Sequence, residues 1–158
     1  MTIDEVLGQI GAARSVAKHR VSAPSALNEA PDYPKPSSFS RALRVDLGNV
    51  SVLLISGTAS IGPNGESLHA GDFRAQLKQT FTNITALLES ERATWKDIVR
   101  TTCYLRDIDR DYEAFNEERT AFYAEQGLDP LPASTGIQAI LCRPELLVEI
   151  EAIAVFLR

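Results

Sequence analysis

The final strand-like run constrains this chain more than any other feature. Residues 147–156 read Leu-Val-Glu-Ile-Glu-Ala-Ile-Ala-Val-Phe. Side chains alternate across a strand with period two. Val148, Ile150, Ala152, Ala154 and Phe156 therefore form one side, and Leu147, Glu149, Glu151, Ile153 and Val155 the other. A sheet face left to solvent reads polar, yet Leu147, Ile153 and Val155 make the second side apolar as well. Such a strand belongs in a sheet that is covered on both faces.

The rest of the chain supplies cover for only one of them. Phe73, Leu77, Phe81, Ile84 and Leu88 mark an apolar stripe on a helix from Asp72 to about Arg92. A second helix runs from about Arg110 to Gln126 and is ended by Gly127 and Pro130. Strand signals fall at Ala42–Leu47, Val50–Ser56 with a short continuation to Ile61, Ile98–Leu105, Ala133–Leu141 and Leu146–Phe156. Gly48-Asn49 and Gly62-Pro-Asn-Gly65 are turns, and Thr94-Trp-Lys-Asp97 is a capping box. The expected fold is α+β, with two helices on one sheet face. The other face then packs against another subunit, which predicts a homo-oligomer.

Residues 1–38 read differently. Ile3, Val6, Leu7 and Ile10 have helical spacing, and Pro24, Pro31, Pro34 and Pro36 fall in a Pro/Ser-rich stretch from Ser22 to Ser40. The expected organisation is an N-terminal helix and arm over 1–38 and a single domain over 39–158.

Composition narrows the function classes. The net charge of −5 argues against general nucleic-acid binding. No apolar run reaches the roughly 20 residues needed to span a bilayer, and the start carries Asp4 and Glu5 rather than a secretion signal, so a cytoplasmic location is expected. Cys103 and Cys142 form no CxxC pair, and His19 and His69 are too few for a zinc site, so no metal is expected.

Four groups of residues could carry chemistry. Glu149 and Glu151 share a strand face; they are either two exposed carboxylates or, for Glu149, a pocket carboxylate able to orient water. Asn116 and Arg119 lie three apart on the second helix, beside Tyr112, Phe115 and Phe122. Arg119 either covers that aromatic stripe with its stem or, with Asn116, aims at an anionic ligand. Ser134-Thr135-Gly136 puts a glycine inside a strand, which marks a bend, a bulge or a close backbone approach able to hold an oxyanion. Ser56-Gly57 ends an apolar strand with the same ambiguity. No nucleophile elbow and no phosphate loop is present.

In this order, Ile55-Ser-Gly57 with the Gly62 turn, Asn83, Asp97-Ile-Val-Arg-Thr-Thr102, Asn116, Pro132-Ala133 and Val148-Glu-Ile-Glu-Ala-Ile-Ala-Val155 resemble the RidA/YjgF family over residues 39–156. This family is also known as endoribonuclease L-PSP. The resemblance implies a chorismate-mutase-like fold, a homotrimer with sheets inside and helices outside, and three clefts between subunits. It implies hydrolysis of enamine and imine acids such as 2-aminoacrylate to ammonia and a 2-keto acid, without metal or cofactor. The family glutamate that holds the attacking water corresponds to Glu149, the helix asparagine to Asn116, the strand-end serine to Ser56 and the early tyrosine to Phe39.

One departure stands out. The family arginine that clamps the substrate carboxylate corresponds to Ser134, which has neither charge nor fork. Arg41 or Arg119 could supply the missing cation. Phe39-Ser-Arg-Ala42 and Ser134-Thr-Gly-Ile137 are also similar to chorismatases. The sequence thus leaves three readings of a pocket for a small carboxylate-bearing metabolite: a deaminase with a relocated arginine, a hydrolase of another acid such as chorismate, and a module that binds without turnover.

Overall fold

The computed structural model describes residues 16–158. The helix expected from Ile3 to Ile10 lies outside the described residues. The described chain forms one six-stranded sheet of β1 (Lys18–Val21), β2 (Ala42–Leu47), β3 (Val50–Ala59), β4 (Ile98–Leu105), β5 (Ala133–Gln138) and β6 (Val148–Leu157), in the order β1-β2-β3-β6-β4-β5. Two helices, α1 (Phe73–Ser90) and α2 (Ile108–Glu125), cover one face. The α+β class and the placement of both helices agree with the sequence reading.

β6 runs through the middle, antiparallel to both β3 and β4, while β5 pairs parallel with β4 at an edge. On its helix side Val148, Ile150, Ala152 and Ala154 are fully buried. The α1 stripe packs down on this side, with Leu77, Phe81, Ile84 and Leu88 all buried. Phe81 stacks on Phe122 of α2 at 4.4 Å, and Trp95 meets Phe81 edge-on at 5.6 Å, so one aromatic cluster pins both helices to the sheet. Asp72 and Asp107 cap the helix starts by accepting from the Ala75 and Arg110 amides. Asn83, buried in α1, donates to the Ala59 and Ile61 carbonyls and so fixes the far end of β3.

Among the described residues the opposite face has no cover. Leu54 faces Ile153 and Val52 faces Val155 across β3 and β6; Leu54 remains 42% and Val155 38% exposed.

Several local readings change. The Ser22–Ser40 stretch contains a 3-10 turn at Ala30–Asp32 and is not detached: Leu27, Ala30 and Tyr33 are buried in the same core as the sheet. Just before it, β1 pairs with β2, an element too short and too charged (Lys-His-Arg-Val) to signal itself in sequence. β3 is one ten-residue strand that continues past Ser56, with a register shift between Ile55 and Thr58. The strand expected to reach Leu141 stops at Gln138, and the last strand begins at Val148.

Candidate functional site

The register shift in β3 creates the site. A bulge re-aims the side chains around it, and here it lays Gly57 against Glu149. A Cβ at position 57 would stand 1.9 Å from Glu149 Oε1, so only glycine leaves room for this carboxylate. Strand alternation places Glu149 on the uncovered face, opposite Ala59 on one neighbour and Tyr104 on the other. Burial pushes the Glu149 carboxyl above its ordinary range; the positive charge of Arg41 draws it back, and Glu151 raises it further.

Arg41, immediately before β2, is 4% exposed. Its amide donates to Glu29 Oε2 at 3.5 Å and its Nε to the Asn28 carbonyl at 3.3 Å, so the arm residues hold it from behind. Its guanidinium lies 4.9 Å from the Tyr33 ring centre and 5.2 Å from that of Phe39. Burial lowers its pKa, with Glu29 opposing the change. Its two Nη groups donate to nothing among the described residues. Arg41, Phe39, Gly57 and Glu149 line one cleft of about 720 Å³, together with Tyr33 and Arg143. Ser56 does not line it: the Ser56 hydroxyl donates to the Ser40 carbonyl at 2.7 Å and faces an adjoining hollow with Phe39 and Leu54.

The remaining candidates form a second group at the sheet's other edge. Arg119 sits 4.6 Å over the Phe115 ring, donates from Nη2 to Asn116 Oδ1 at 2.6 Å and from Nη1 to Ser134 Oγ at 3.2 Å. Ser134 Oγ also accepts from Thr101 at 3.1 Å, which places it on the helix side of β5. Thr135 points to the uncovered side, where it accepts from Arg100 at 2.9 Å. β5 pairs with β4 without interruption, and a Cβ at Gly136 would meet Tyr112 at an ordinary 3.9 Å. The glycine therefore marks neither a bulge nor a tight approach within this chain. Burial raises the Cys103 thiol beside this group.

Within one chain the two groups do not meet. Asn116, Arg119, Ser134, Thr135 and Gly136 contribute nothing to the Arg41–Glu149 cleft. Sequence reasoning missed Tyr33 and Arg143. Tyr33 was hidden by the prolines around it; a Cβ on Gly65 would stand 2.6 Å from its ring, a contact no local pattern reveals.

Comparison with known proteins decides the family. The family model described as Endoribonuclease L-PSP matches residues 33–156. The chain belongs to the RidA/YjgF family. It is 32% identical over 122 residues to a RutC family protein of Pyrococcus abyssi, covering 77% of this chain and 89% of that one. It is also 32% identical over 111 residues to the 2-iminobutanoate/2-iminopropanoate deaminase of Escherichia coli, covering 70% and 83%. Among solved structures it shares the fold of E. coli TdcF with bound serine, at a TM-score of 0.70 and 23% identity over 87% of this chain and 98% of that one. RidA-family relatives thus include imine deaminases, while Ser134 stands in this chain where the resemblance expects an arginine.

Proposed function

We propose that this RidA-family chain binds a small carboxylate-bearing metabolite in the Arg41–Glu149 cleft and hydrolyses an imine or enamine acid there without a cofactor. The observation that carries the reading is the buried Arg41 guanidinium, with both Nη groups unpartnered among the described residues, in one cleft with Glu149. A guanidinium fork matches a carboxylate through two parallel hydrogen bonds. Arg41 thus takes the role of the arginine absent at Ser134. Arg119 is engaged with Asn116 and Ser134 and does not line this cleft.

The chemistry follows from Glu149. Any enamine first tautomerises to the imine. A water held by the Glu149 carboxylate attacks the imine carbon, and Glu149 takes its proton. That proton passes to nitrogen to give a carbinolamine; Glu149 then takes the hydroxyl proton and delivers it to the amine as the carbon–nitrogen bond breaks, so ammonia leaves and the carbonyl of a 2-keto acid forms. Partial burial keeps the Glu149 pKa closer to neutrality than an exposed carboxylate's, which suits a group that both takes and returns a proton.

The uncovered apolar face supports a homotrimer in which a neighbouring copy closes the cleft. Its edge strand, with Ser134, Thr135 and Gly136, would offer backbone donors to the developing charge. The test is ammonia release from enzymatically generated 2-aminoacrylate. The wild-type chain should accelerate release well above the spontaneous rate, and Glu149→Gln should abolish the acceleration. No acceleration by the wild type would overturn the reading.

A further inference from the structure

Arg41 is not the only cation in the Arg41–Glu149 cleft. Lys35, Arg41 and Arg143 line it against Glu66 and Glu149. Glu66 is already engaged, accepting from the Asn64 amide at 3.0 Å. Arg143 enters from the loop before β6. Its Nη1 is fixed by the Gly65 carbonyl at 2.6 Å and the Ser67 hydroxyl at 3.1 Å, while its Nε and Nη2 have no partner among the described residues. The Arg143 charge also bears on Arg41, adding to the burial that lowers the Arg41 pKa. Two guanidinium groups facing one cleft repel each other unless anions lie with them.

The walls of the cleft point to the body of such a ligand. With Phe39, the Tyr33 ring gives the cleft a flat aromatic side around Arg41.

We propose that the cleft selects a dicarboxylate: one carboxylate on Arg41, the second on Arg143, and a planar unsaturated body between them against the Tyr33 and Phe39 rings. This rests on the reading of Arg41 as a carboxylate clamp and adds a second anionic subsite to it.

The test is calorimetric titration of the full chain with isophthalate and with 3-carbamoylbenzoate, which has the same shape and one charge fewer. Isophthalate should bind at least tenfold more tightly. Arg143→Gln should collapse that ratio towards one, and Arg143→Lys should keep a preference for the dianion. Equal affinity of the two ligands for the wild type would overturn the proposal. If both then bind and Arg41→Gln abolishes both, the carboxylate clamp stands and only the dicarboxylate subsite falls; if neither binds the wild type, both fall. The ligand pair decides the matter in the wild type even if an Arg143 variant does not fold.

Discussion

Gly57→Ala separates the architecture of this protein from its chemistry. The added methyl group would lie 1.9 Å from Glu149 Oε1 and 2.9 Å from its Cδ. Real contacts of this kind do not fall below 3.0 Å, so the carboxylate must retreat by about 1 Å or more. The colliding atoms are the far end of a flexible side chain, and turning one side chain off its rotamer costs about 0.5–1.5 kcal/mol. Stability should therefore fall by no more than that. Activity should fall much further, because about 1 Å of misplacement of a catalytic group costs on the order of 100-fold, about 2.7 kcal/mol of barrier. Thermal melting reads the first quantity and ammonia release the second. Gly57→Ala in a Glu149→Gln background should cost little further activity, since both changes act on one group. A Gly57→Ala chain that melts normally and deaminates at the wild-type rate would refute the claim that Gly57 exists to seat Glu149.

Other consequences are open to measurement. The Glu149 pKa is raised in the fold, so the stability associated with this group is fully present below its ordinary value of 4.5 and is lost as pH rises through the raised value. Glu149→Gln should therefore melt higher than wild type at pH 8 and close to it at pH 4; the opposite pH trend would show that the carboxylate is not desolvated. Phe115, fully buried on the inner side of α2, should cost about 3–5 kcal/mol as Phe115→Ala in denaturant unfolding. Asn83→Ala leaves the Ala59 and Ile61 carbonyls without their donor and should cost about 1–3 kcal/mol. If the proposed trimer forms, Val155→Asp on the uncovered face should convert it to monomer in sedimentation; an unchanged mass would remove that face from the interface.

Much of the fold could be read from the sequence because it rests on local rules. The α1 stripe, the Gly48-Asn49 turn and the β6 alternation each follow from spacing, and the order of elements follows from them. β1 was missed because four residues paired at an edge carry no apolar period of their own. Tyr33 and the rest of the arm were misread because prolines exclude regular structure but say nothing about burial. The site was legible only in part. Period-two alternation puts Glu149 on the uncovered face, but the bulge that opens the cleft appears in sequence as nothing more than an ambiguous glycine. Arg41 and Arg119 were equal candidates in sequence, since neither spacing nor charge reveals which guanidinium faces Glu149. Three-dimensional contacts separate them: Arg41 lines the cleft, and Arg119 turns to Asn116 and Ser134.

That separation is the central claim, and one titration addresses it. 2-Oxobutyrate, a keto acid of the kind the proposed hydrolysis would release, can be titrated calorimetrically into the wild-type chain, Arg41→Gln and Arg119→Gln. A charge-assisted pair is worth about 1.5–3 kcal/mol, so Arg41→Gln should weaken binding by at least tenfold, while Arg119→Gln should change it by less than threefold. Loss of binding in Arg119→Gln with binding retained in Arg41→Gln would contradict the account and move the carboxylate clamp to the Ser134 edge of the sheet.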